Sequence, residues 1–151
     1  KAHKENKTLR EAAIELGRRL ALCQETAAVI TSPEDVKTLV MEDMRYLDRE
    51  HFKVIYLNRK GGIIFIEDIS VGGLHSSIAH PREVFKNAVK RSAASIILVH
   101  NHPSGDPNPS HEDMETTRRL VEAGQIVGIE VLDHVIIGDN RYCSMKSRGL
   151  I

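Results

Sequence analysis

The segment running from Ser95 through Ile96, Ile97, Leu98 and Val99 to His100, then Asn101, His102 and Pro103, constrains this chain most. A surface strand alternates apolar and polar residues. An uninterrupted apolar run of strand length instead suits a central strand buried on both faces. Proline cannot donate to a sheet ladder, so the chain must turn at Pro103. A strand buried on both faces requires covering elements above and below it, and the rest of the chain has to provide them.

Residues 8–23 space Leu9, Ala12, Ala13, Leu16, Leu20 and Cys23 as one face of an amphipathic helix. Residues 24–32 read as a linker. Ser32, Pro33, Glu34 and Asp35 form a helix start, with serine at the N-cap, proline in the first helical position and acids in the first turn. That helix is expected to run to about residue 48, with Val36, Leu39, Val40, Met44 and Leu47 inward. Residues 51–58 and 62–69 read as the two strands of a hairpin across an Asn-Arg-Lys-Gly-Gly turn. Pro81 opens a helix over 82–92 with Val84, Phe85, Ala88 and Val89 on one face. Residues 110–124 read as a helix ended by Gly124, and 129–138 and 141–145 as short strands. This order predicts an α/β fold: one domain, a mixed β-sheet packed by helices, with an N-terminal helical extension.

Composition narrows the function classes. Lys plus Arg and Asp plus Glu are 21 each, for a formal net charge of zero. Nucleic-acid binders usually carry a basic excess, so weak direct DNA binding is expected. No apolar stretch approaches the roughly 20 residues that span a bilayer. The polar N-terminal stretch resembles neither a signal peptide nor a lipid anchor. Without an initiator Met, the sequence reads as a fragment of something longer. The two scattered cysteines, Cys23 and Cys143, suit a reducing cytoplasm and are too few for a cysteine-built zinc site.

The densest chemistry lies between residues 100 and 113. His100 and His102 are two apart at a strand end, so both imidazoles point to one face. The loop then delivers Ser110 and Asp113 at the start of a helix, where the carboxylate can fold back towards the rings. Two nitrogens and one oxygen make a catalytic type of zinc site, with a fourth position left for water. Zinc lowers the pKa of that water to about 7 and polarises a carbonyl oxygen. A lone His-x-His is often a surface coincidence, and Ser110 with Asp113 is also an ordinary capping box. The functional reading rests on the conjunction of strand end, paired histidines, rigid loop and capped acid.

The stretch from His100 to Asp113 matches the JAMM pattern, His-x-His followed by Ser-x-x-Asp, of JAB/MPN-type metalloproteins. AAIELGRRL, HPREVFKNAV, ILVHNHPSGDPNPS and VLDHVIIG resemble, more narrowly, the RadC family, known as DNA repair proteins. The resemblance covers nearly the whole chain. It implies a RadC-like JAB/MPN domain over residues 26–151, broadly like the cytidine deaminase fold. Residues 1–25 would be the tail of a helix-hairpin-helix region. It implies one zinc ion held by His100, His102 and Asp113, with Ser110 donating to the developing oxyanion. The upstream glutamate of the pattern falls on Glu50, which would accept the proton of the water and pass it to the leaving group. Glu83 is the rival, although capping and packing explain it more simply. The implied activity is zinc-dependent hydrolysis of a peptide, isopeptide or other amide bond. The alternatives are a DNA-repair-associated binding module with a structural zinc, engaging DNA or repair and replication proteins, and a metal-dependent nuclease.

Other signatures fail. His111-Glu112 lacks the second histidine of a HExxH helix, since position 115 is Glu. The Cys-x-x-Cys of a zinc deaminase is missing, as are a Walker A loop and a G-x-S-x-G elbow. Ser104 has no evident base. His134 reads as a buried structural histidine or a donor to a ligand. His75 and His80 read as loop histidines, Asp106 as an Asx-type brace, and Arg118-Arg119, Glu42 and Asp43 as solvated.

Overall fold

The computed structural model describes residues 11–16, 28–72 and 79–151. Residues 11–16 are α-helical (α1) and exposed, and the rest of the expected 8–23 helix, with Cys23, lies outside the described residues. His75 also lies outside them. There follow α2 (Pro33–Met44), β1 (Glu50–Leu57), β2 (Ile63–Gly72), α3 (Pro81–Lys90), β3 (Ser95–Asn101), α4 (His111–Val127), β4 (Glu130–Ile137) and β5 (Tyr142–Ser144). Among the described residues the strands form one five-stranded sheet in the order β2-β1-β3-β4-β5. It is mixed: β1 is antiparallel to β2 and to β3, β3 is parallel to β4, and β4 is antiparallel to β5. The fold is the expected α/β one.

β3 is the central strand, and all seven of its residues are buried. One face packs Val54, Tyr56, Ile96 and Leu98 against Val84, Phe85 and Ala88 of α3 and Leu120 of α4. The other packs Ile55, Leu57, Ile97 and Val99 against Val36, Val40, Met41 and Met44 of α2. Helices therefore cover both faces, which explains why β3 lacks alternation.

The structure corrects four expectations. Helix α2 ends at Met44 rather than near 48, although Leu47 still packs against the core. The expected linker is tied down from residue 28, because Ile63 N–H donates to Ala28 O (3.0 Å) and Ile30 N–H to Gly61 O (2.9 Å). Val89 faces solvent, being 62% exposed, whereas Val84, Phe85 and Ala88 are buried. Gly124 does not end its helix. α4 continues to Val127 and stops at Gly128, whose φ of 76° gives the left-handed C-cap. Gly124 is instead a close-approach position: a Cβ there would lie 2.4 Å from the Ile129 carbonyl oxygen.

Candidate metal centre

β3 carries His100 to the end of the central strand, and His102 follows just beyond it, where the chain turns. His102 N–H still donates to Ile137 O (2.8 Å), and Gly105 N–H donates back to His102 O (2.9 Å). The loop is braced on the β4–β5 turn, since Asp139 N–H donates to Gly105 O (2.9 Å). A Cβ on Gly138 would lie 2.3 Å from Gly105 O, so the two backbones meet only because residue 138 is glycine. Asp106 makes the expected Asx-type brace, its carboxylate accepting from Asn108 N–H (3.1 Å). Ser104 belongs to the same brace, accepting from Asp106 N–H (3.3 Å).

The loop ends at Ser110, the N-cap of α4. Ser110 Oγ accepts from Asp113 N–H (3.1 Å) and Asp113 Oδ2 accepts from Ser110 N–H (2.7 Å), a complete capping box. The cap aims the Asp113 carboxylate at the two imidazoles. His100 Nε2 lies 3.1 Å from Asp113 Oδ1, His102 Nε2 lies 3.2 Å from Asp113 Oδ2, and the two Nε2 atoms are 2.9 Å apart. These three side chains form a group that can hold a metal ion, with its ligand atoms all within 4.8 Å of one another.

The electrostatics follow from this crowding. Burial alone would lower the basicity of His102, but the hydrogen bonds to Asp113 and to the Asp106 carbonyl, with the charges of Asp113 and Glu50, outweigh it and raise its pKa. Burial would raise the pKa of Asp113, yet the neighbouring His100 and His102 rings, with the Ser110 N–H, hold it well below the usual carboxylate range. His102 Nδ1 faces the Asp106 carbonyl at 2.7 Å and must donate to it, so a neutral His102 turns its Nε2 lone pair towards the cluster.

Glu50 opens β1, and its charge is among those acting on His102. β1 pairs Phe52 with His100, which brings the start of β1, and Glu50 with it, to the end of β3 that carries the histidines. Asn101, between the two histidines, fixes the backbone on both sides of Glu50. Its Oδ1 accepts from His51 N–H (2.7 Å) and its Nδ2 donates to Arg49 O (2.9 Å). Glu83, in contrast, is an exposed first-turn acid paired with Lys86 (3.0 Å). Arg118 pairs with Glu122 on an exposed face (3.1 Å), and His80 caps α3, accepting from Arg82 N–H (3.2 Å).

Sequence reasoning passed over three residues around the cluster and left a fourth undecided. His134 is fully buried, and its Nε2 lies 2.8 Å from His100 Nδ1. Burial, then the neighbouring His100, push the His134 pKa well below its ordinary value. Thr117 lies one helical turn after Asp113 and meets His134 Nδ1 at 2.6 Å. Phe52 stacks on the His100 ring (centroids 6.0 Å apart, planes 14° apart) and meets His134 edge-on. Asn101 and Thr117 had sequence signals: one separates the two histidines, and the other is four residues beyond Asp113.

A family model described as RadC-like JAB domain matches residues 30–150. A UPF0758 protein of Syntrophomonas wolfei is 67% identical over 145 residues, covering 93% of this chain and 62% of that protein. A UPF0758 protein of Caldanaerobacter subterraneus is 66% identical over 140 residues, covering 92% and 60%. One of Desulforamulus reducens is 63% identical over 142 residues, covering 93% and 63%. The chain thus spans about three-fifths of the length of these relatives, whose names specify no activity.

Proposed function

The chain belongs to the RadC-like JAB domain family, and from that membership we propose that it is a zinc-dependent hydrolase of a peptide, isopeptide or related amide bond. The observation carrying this reading is the spacing of the three ligand atoms: 2.9, 3.1 and 3.2 Å. Ligands about 2.0–2.1 Å from a tetrahedral zinc lie about 3.3 Å from one another. Three such atoms that close together repel unless a ring proton or a metal cation lies among them, and the spacing suits either. Two imidazoles and a carboxylate suit zinc, and three protein ligands leave one tetrahedral position open. When bound, zinc supplies a Lewis acid that acidifies water and polarises a carbonyl oxygen.

The chain's own residues supply the rest. Glu50 accepts a proton from the attacking water and returns it to the leaving nitrogen. Ser110 Oγ spends one lone pair on the α4 cap. Its hydrogen can go to the substrate carbonyl oxygen as that atom gains charge. The Asn101 clamp and the capping box hold base and ligands on separate rigid elements, so no geometry depends on a free loop. Glu50→Gln tests this: the variant should keep zinc and lose hydrolysis of amide substrates. Full activity in that variant would remove Glu50 from the reaction.

A further inference from the structure

We propose that His134 and Thr117 are positioning residues that decide which nitrogen of His100 carries its hydrogen, leaving Nε2 as a lone pair for the metal. The inference rests on the metal-centre reading above. It follows from accounting for hydrogens along one chain of contacts.

The chain starts at the backbone carbonyl of Asp113, which can only accept. Thr117 Oγ1 lies 2.6 Å from it and donates its single hydrogen there. The Met145 sulfur, 3.5 Å from the same hydroxyl, is a weaker acceptor. With its hydrogen committed, Thr117 Oγ1 meets His134 Nδ1 (2.6 Å) as an acceptor, so Nδ1 bears a hydrogen. At alkaline pH both rings are neutral and each carries a single hydrogen. His134 Nε2 is therefore a lone pair, and the nitrogen facing it at 2.8 Å, His100 Nδ1, must donate. A neutral ring has one N–H. His100 Nε2 is left as an acceptor, pointing at His102 and Asp113.

The backbone is shaped for this contact. β3 and β4 pair Ile96 with Val131 but Ile97 with Asp133, so Leu132 is an extra residue. A bulge reverses which face the following side chains take. It turns His134 to the face of Leu98 and His100 rather than to the α2 side. A histidine serving only to fill space would tolerate either tautomer; here Thr117 allows one.

The test uses the ¹⁵N-labelled chain without metal at alkaline pH, where long-range ¹H–¹⁵N correlations report the tautomer of each ring. Zinc affinity is measured separately by competition with a chromophoric chelator. In the parent chain His100 and His134 should both carry hydrogen on Nδ1. Thr117→Val removes the acceptor while keeping the volume. His100 should then shift towards the Nε2–H form, and zinc affinity should fall by about 10–100-fold. Thr117→Ser should restore both. A parent chain with His100 protonated on Nε2, or a Thr117→Val variant with unchanged tautomer and zinc affinity, overturns the proposal. Should Thr117→Val fail to fold, the parent tautomers decide alone. A parent chain with the derived tautomers that takes up no zinc supports the hydrogen-bond chain and overturns the metal-centre reading.

Discussion

Asn101→Ala isolates the clamp that holds Glu50 from the ligands themselves. Asn101 is 1% exposed, and neighbouring strand residues point to opposite faces, so its side chain leaves the sheet away from His100 and His102. The substitution removes two hydrogen bonds, to His51 N–H (2.7 Å) and to Arg49 O (2.9 Å). Each is worth about 1 kcal/mol net, and an unpaired buried group costs about 1–3 kcal/mol. The site is only partly buried, so water reaches some of what is exposed, and the expected loss is about 2–3 kcal/mol. For a chain of 151 residues that lowers Tm by roughly 4–12 °C. Thermal melting in chelator measures this, and hydrogen exchange at the His51 amide locates it. Zinc affinity should change little while hydrolysis falls, since Glu50 sits between the two freed peptides. Asn101→Asp keeps the acceptor for His51 N–H and should lie between parent and alanine. If Asn101→Ala melts with the parent and protects the His51 amide equally, Asn101 is not what fixes Glu50.

Proton linkage supplies a second expectation. The raised pKa of His102 stabilises the metal-free chain fully below pH 6.5 and is lost as pH rises through the higher folded value. The depressed Asp113 stays ionised throughout that window. Zinc needs neutral rings, so the Tm increment caused by zinc should grow above pH 6.5 as the metal-free Tm falls; melting with zinc or chelator across that range reads both, and a flat increment would contradict it. Gly124→Ala should destabilise by about 1–3 kcal/mol, against the usual gain for alanine in a helix. The added Cβ meets the Ile129 carbonyl at 2.4 Å, so a variant more stable than the parent to denaturant would refute the close approach. Duplex DNA should bind weakly at physiological salt, because zero net charge offers little counterion release. Sub-micromolar affinity by fluorescence anisotropy would favour a binding module instead.

The fold was legible where one physical signal dominated. The apolar run ending in Pro103 marked the central strand, and the Ser32-Pro33 cap and the 58–62 turn marked α2 and the hairpin. Gly124 misled because glycine has two uses, ending a helix or admitting a neighbouring backbone, and only tertiary packing tells them apart. Val89 misled because a helix face read from spacing carries no information about how wide the covering sheet is. The cluster of His100, His102 and Asp113 was legible because strand alternation and a capping box are local rules. The contacts of His134 and Asn101 were not, since each depends on strand register, and for His134 on the bulge at Leu132.

The central claim is a one-zinc centre served by a base that does not hold the metal. Zinc content per chain, measured after loading and dialysis for the parent, Asp113→Ala and Glu50→Gln, tests it most directly. The account predicts one zinc in the parent and in Glu50→Gln, and none in Asp113→Ala. A folded parent that retains no zinc, or an Asp113→Ala chain that retains it fully, would contradict the account.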